Sequence, residues 1–232
     1  GASNDTEEYN SSLQVLNSGV WAAGGNLNTA RGQLSCSGLQ TAAIAAGGIN
    51  PGAGGTQNAS EEYNGSSWSE GNNLNTARRV MSANGPQTAA FVAGGFLPPN
   101  TAATENYNGT SWTNSGNLNT ARRHGAGAGT QTSGLAFGGY VSASSNLTEE
   151  FNGSSWTAQN TMNSARFGLA GTGTQTAAFA FGGGNPSASP ILVVTTENYD
   201  GTSWTNSPHN LGAGRYSVAG STAGTQTASL LF

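Results

Sequence analysis

The chain has no lysine, a single cysteine and only 8% charged residues, and each scarcity excludes something. Seven arginines against eleven acidic residues give a net charge of −4. No basic stripe follows from so few cations, and nucleic acid is not an expected partner. Cys36 alone cannot form an internal disulfide, and a small residue of this kind in a β-prone stretch is expected to be buried. The apolar stretches at residues 179–181 and 191–194 are far shorter than the roughly 20 residues of a membrane-crossing helix. Membrane insertion is therefore not expected. No segment keeps apolar residues at a 3.6-residue spacing, and the repeated glycine pairs would interrupt a helix.

What the chain has in abundance is glycine, 36 of 232 residues. In a patternless sequence that would read as low complexity, so only a regular repeat can account for folding. The tryptophans supply one: Trp21, Trp68, Trp112, Trp156 and Trp204 stand 47, 44, 44 and 48 residues apart. Between them the same words return in order. An Arg follows a short polar loop, then come a small-residue stretch, a Gln-Thr pair, an apolar run closed by Gly-Gly, a Glu before an aromatic residue, and Trp. The third unit reads Leu118-Asn119-Thr120-Ala121-Arg122, Gln131-Thr132, Leu135-Ala136-Phe137-Gly138-Gly139, Glu149-Glu150-Phe151 and Trp156.

Short β-prone runs divided by turn residues at near-regular spacing predict an all-β fold, here with four strands per unit. The first strand, poor in side-chain volume, suits the crowded position next to an axis. Asn64-Gly65, Asn108-Gly109, Asn152-Gly153 and Asp200-Gly201 are expected to make two-residue hairpin turns with positive φ. Units of this length with four strands are propeller blades. The predicted architecture is a single domain over residues 1–232, a segment of a longer chain, forming a five-bladed β-propeller. Residues 6–9 read as a third strand and residues 230–232 as a second strand, so the N- and C-terminal strands are expected to pair in one closing blade. An insertion at residues 11–20 lengthens the hairpin of that blade.

Gly-Gly, a Glu before an aromatic residue, Trp, and an Arg after a short loop resemble the kelch repeat across essentially the whole chain. The spacing departs from the common kelch pattern, since Tyr63 and Trp68, Tyr107 and Trp112, and Tyr199 and Trp204 are five positions apart. The wording Tyr-Asn-Gly-Thr-Ser-Trp, Asn-Leu-Asn-Thr-Ala-Arg and Gly-Thr-Gln-Thr-Ala is similar to repeats of virion structural proteins of marine bacteriophages. That resemblance implies a structural component of a particle.

Glu7, Glu61, Glu105, Glu149 and Glu197 occupy one repeat position, and Arg31, Arg78, Arg122, Arg166 and Arg215 another. Glycosidases need a unique carboxylate pair. A ring of equivalent acids argues instead for structural ion pairs with the ring of arginines. His124 and His209 fall in different strand contexts without metal-ligand spacing, so neither metal nor cofactor is expected and catalysis is not predicted. The connections after Gly-Gly, residues 49–60, 96–103, 140–147 and 184–194, vary while the blade wording hardly changes. Loops on a rigid scaffold are where binding residues sit. The candidate binding residues are Asn50, Phe96, Asn100, Tyr140 and Asn185.

The expected function is a non-enzymatic structural or adhesive module of a capsid or tail, located on a virion or extracellular surface and binding through these inter-strand loops, which are expected to emerge on one face. Its expected partners are other virion or surface proteins and host glycans. The alternative is a multivalent carbohydrate-binding lectin with equivalent sites between blades.

Overall fold

The computed structural model of the chain describes residues 7–10, 20–187 and 191–220, with side chains from residue 23 onward. Twenty strands account for most of its regular structure: β1 (Glu7–Asn10), β2 (Val20–Ala23), β3 (Ser35–Leu39), β4 (Ala42–Ala46), β5 (Ile49–Asn50), β6 (Gly55–Thr56), β7 (Ser60–Tyr63), β8 (Trp68–Glu70), β9 (Ser82–Asn84), β10 (Phe91–Ala93), β11 (Thr104–Tyr107), β12 (Trp112–Ser115), β13 (Ala126–Thr130), β14 (Ser133–Phe137), β15 (Thr148–Phe151), β16 (Trp156–Gln159), β17 (Ala170–Thr174), β18 (Ala177–Phe181), β19 (Glu197–Tyr199) and β20 (Trp204–Asn206). The helical content of the described residues is two single 3-10 turns, Pro51–Ala53 and Gln87–Ala89.

Four antiparallel sheets of four strands, β3-β4-β7-β8, β9 to β12, β13 to β16 and β17 to β20, form four blades in a β-propeller arrangement. Their first strands lie innermost and pack in chain order, β3 against β9, β9 against β13 and β13 against β17. Small residues are required there. A Cβ on Gly127 would stand 2.9 Å from the Ala83 carbonyl oxygen of the preceding blade, and one on Gly171 would stand 2.3 Å from the Phe137 ring. The strands β1 and β2 form a separate pair with Tyr9 opposite Trp21, the register of Tyr63 and Trp68 in the first blade. Residues 11–19 and 221–232, which carry the predicted insertion and the predicted closing strand, lie outside the described residues.

The recurring polar words bind one blade to the next. Gln87 donates its side-chain amide to the Ala43 and Tyr63 carbonyls of the preceding blade, both at 2.9 Å. Gln131 repeats this with Ala90 and Tyr107, and Gln175 with Gly134 and Phe151. The indole N–H groups of Trp112, Trp156 and Trp204 donate to Ser60, Thr104 and Thr148, again one blade back. Trp68, Trp112, Trp156 and Trp204 also pack on the aromatic residue opposite them in the same blade, with ring centroids 4.9–5.0 Å apart. Apolar burial and polar satisfaction thus coincide at the same interface, which favours one register over its slips.

Two local features depart from, or go beyond, the sequence reading. The Asn-Gly hairpins are not two-residue turns: Tyr63 opposes Trp68, leaving residues 64–67 as a four-residue loop. Only the glycine has positive φ, 92° at Gly65. The Asn64 Oδ1 instead accepts from the N–H groups of Ser66 and Ser67. Asp200 makes the same bonds to Thr202 and Ser203. The Asn serves as an internal cap of its own loop, the Asx-type bonding that short turns use.

The second feature lies two residues beyond each repeat arginine. Gln33, Val80, His124 and Ser217 take positive φ of 52–56°, and the equivalent Gly168 takes 63°. Their backbones form a chain of hydrogen bonds from blade to blade: Val80 N–H to Gln33 O, His124 to Val80, Gly168 to His124 and Ser217 to Gly168, at 2.8–2.9 Å. Left-handed backbone is costly for a β-branched residue such as Val80. It persists because the turn delivers both its N–H and its carbonyl to adjacent blades.

Candidate functional site

Residues on the face where strand one begins and strand two ends divide into a structural set and a variable set. The structural set is the predicted ring. Arg31 meets Glu61 at 2.5 Å, Arg122 meets Glu149 at 2.5 Å and Arg166 meets Glu197 at 2.8 Å, and Arg78 pairs with Glu105. All eight side chains are buried. Each Glu also accepts from the backbone of the incoming loop, as Glu149 does from Asn119 and Thr120. Burial lowers the guanidinium pKa of Arg78, Arg122 and Arg166, and the carboxylate partner opposes that shift. The fifth predicted pair is Glu7 with Arg215. The Glu7 side chain lies outside the described residues, and Arg215 is exposed.

The variable set sits one residue after the repeat arginine and one residue after Gly-Gly. Backbone bridges join Arg79 to Phe96, Arg123 to Tyr140 and Phe167 to Gly184, so both chain segments of each blade reach the same surface. Three of the predicted binding residues converge there. The Arg123 guanidinium lies 4.7 Å from the Phe96 ring centroid and 4.6 Å from that of Tyr140. It also donates to Asn100 Oδ1 at 2.8 Å, while the Asn100 amide donates to the Tyr140 and Val141 carbonyls. Arg79 covers Phe96 from 5.1 Å. The band continues through Tyr140, Phe167 and Tyr216, with ring centroids 5.6 and 6.2 Å apart.

Asn50 and Asn185 do not join this cluster. Asn50 caps the 3-10 turn through Gly52 N–H, and Asn185 accepts from Ser187 N–H, so both amides shape their own loops. Sequence reasoning did not single out Arg79 and Arg123. Their signal was the doubled arginine at residues 78–79 and 122–123, where only the first member belongs to the repeat.

His124 packs edge-on against Phe167, with centroids 5.8 Å apart. Desolvation, followed by the positive charges of Arg123 and Arg79, pushes its imidazole down to about 4. It is neutral at neutral pH beneath a cationic surface. Cys36 is exposed, contrary to its expected burial. Its neighbours Ser35 and Ser37 direct their hydroxyls to the Met81 and Gly85 carbonyls of the second blade, so strand alternation turns Cys36 the other way.

Among the described residues, no three His, Cys, Asp or Glu side chains gather as a metal would need. A cleft of about 160 Å³ beside Glu61 and Glu70 is smaller than the roughly 300 Å³ at which small-molecule sites begin, and Glu61 is already engaged by Arg31. The fold and this face define a β-propeller that bears, among the described residues, a compact arginine and aromatic cluster. The chain matches no protein-family model and no curated protein.

Proposed function

We propose that the chain is a non-enzymatic structural or adhesive module, part of a virion or of an extracellular surface, that attaches through the loop face of a kelch-like propeller. One observation carries the reading: the polar residues that recur in the blades are engaged within and between sheets, whereas Arg79, Phe96, Asn100, Arg123 and Tyr140, which belong to no recurring word, converge on one face. Arg79, Phe96, Asn100, Arg123 and Tyr140 are only partly buried, and a rigid scaffold presenting such variable residues is a binding device. The similarity of the repeat wording to virion structural proteins of marine bacteriophages supports the location.

The propeller in this proposal has five blades. Support comes from the β1–β2 register, from Ser217 repeating the left-handed position of four other units, and from Gly220, whose added Cβ would meet the Gly171 carbonyl oxygen at 3.0 Å. That contact matches the one between Gly127 and Ala83. Closure requires residues 221–232 to pair beside β1 and to return against the first blade.

Immunogold labelling with antibodies to the chain tests the location. Labelled sites are expected on the outside of particles whose genome encodes it, and absence of the chain from the particle proteome overturns the assignment. A glycan array with stoichiometry tests the lectin alternative, which requires several equivalent sugar sites per chain rather than one partner site.

A further inference from the structure

The chemistry of the loop face specifies its partner further. We propose that the surface centred on Arg79 and Arg123 docks a protein that presents carboxylates at the centre of the contact and apolar side chains around it. This rests on the binding-module reading and deepens it.

The first argument is charge. The chain carries −4 overall and has only two cationic side chains outside the repeat ring, Arg79 and Arg123. Both flank the Phe96 ring, and the ion pairs of the described residues involve neither of them. The nearest polar partner of Arg123 is the neutral amide oxygen of Asn100. Two cations that each lie within about 5 Å of one ring centroid add their fields at a group approaching that ring, and the rings hold the guanidinium groups in place. Their combined potential already disfavours protonation of His124. An approaching carboxylate would find forked donors that have no competing acid.

The second argument separates a protein from a saccharide. Of the exposed large apolar side chains, Leu97, Val141, Ile191, Leu192 and Tyr216 lie on this face, in the connections after Gly-Gly or beside the repeat arginine. Aliphatic side chains offer a sugar no hydrogen bond, whereas apolar residues next to Arg and Tyr are the composition of an energetic centre between proteins. The backbone groups of Arg79, Phe96, Arg123 and Tyr140 are paired in bridges, so an extended peptide cannot simply add a strand there. Recognition falls to the side chains.

A random-peptide display library selected on the intact chain tests the proposal. The expected consensus combines Asp or Glu with apolar residues, and selected peptides bind at least ~10-fold more weakly to R79Q/R123Q and to L97S/V141S. They also weaken as salt rises. Thermal unfolding of both variants checks that the fold is retained. A consensus without acidic residues, or binding that survives R79Q/R123Q, overturns the proposal while leaving the binding-module reading intact. Three further outcomes also overturn it: no enrichment on this face, selective binding of galacturonate oligomers indifferent to L97S/V141S, or self-association of the chain abolished by R79Q/R123Q. Absence of the chain from the particle, by contrast, strikes the underlying reading.

Discussion

The Tyr107 hydroxyl of the second blade donates to the Glu62 carboxylate of the first. Tyr199 does the same to Glu150 across the interface between the third and fourth blades, at 3.0 Å. In both cases burial, followed by the carboxylate, raises the phenol well above its usual range. Between these interfaces the aromatic residue is Phe151, and the residue at the acceptor position is Asn106, whose Oδ1 is buried without a partner. Acid faces hydroxyl, and amide faces plain ring.

This pairing predicts opposite effects for two matched substitutions. Y107F removes a hydrogen bond to a charged acceptor and is expected to cost about 1.5–3 kcal/mol. F151Y supplies a hydroxyl where Asn106 lacks a donor and is expected to gain about 1 kcal/mol. Scanning calorimetry reads both, at roughly 2–4 °C per kcal/mol for a chain of this size. A fall in Tm for F151Y would contradict the account.

The buried ring predicts a strong single-site effect and a partial rescue. R122M leaves the Glu149 charge buried without its ion-pair partner, at an expected cost of about 3–5 kcal/mol in urea unfolding. Adding E149Q removes that charge while keeping an acceptor for the Asn119 and Thr120 N–H groups. The double variant is therefore expected to be more stable than R122M alone. Equal or lower stability would mean that the loop bonds need the carboxylate itself.

His124 gives a pH signature with a definite sign. Its folded value of about 4 lies below the ordinary 6.5, so between these values the unfolded chain binds a proton that the folded chain does not. Stability is present in full above about pH 6.5 and falls as pH drops toward 4. H124N removes this part of the acid limb, and Asn tolerates left-handed backbone at that position. In NMR titrations R79Q/R123Q should raise the imidazole value without restoring 6.5, because desolvation is the larger cause. An unchanged value would remove the Coulombic role of the arginines.

The five-blade proposal makes a prediction about one amide. Val80, His124, Gly168 and Ser217 each donate their N–H to the equivalent residue one blade back. A closed five-fold ring adds the bond from Gln33 N–H to Ser217 O. Hydrogen exchange at Gln33 should then be as slow as at Val80 and His124, and should accelerate when residues 221–232 are deleted. Fast exchange in the intact chain would argue against closure.

Much of the fold was legible because a repeat reports tertiary constraints many times over. The Trp spacing, the Gly-Gly pairs and the Glu and Arg words set four strands per unit, a small-residue inner strand and the buried ion pairs, since each choice satisfies the same contact in every blade. Legibility failed where the deciding contact comes from somewhere else. The hairpins turned out as four-residue loops because the Asn64 side chain accepts two backbone N–H groups, a bond that the dipeptide Asn-Gly does not reveal.

Cys36 is exposed because alternation turns it away from the second blade, and Asn50 and Asn185 serve their own loops. The sequence alone therefore determined the class of fold and the division between structural and variable positions, through local propensity and periodic burial. That the loops carrying Phe96, Asn100 and Tyr140 share a face was expected from the repeat; tertiary structure alone decided that Arg79 and Arg123 join them in one contact cluster. They come from two blades, and only the docking of one sheet on the next brings guanidinium groups and rings within contact distance.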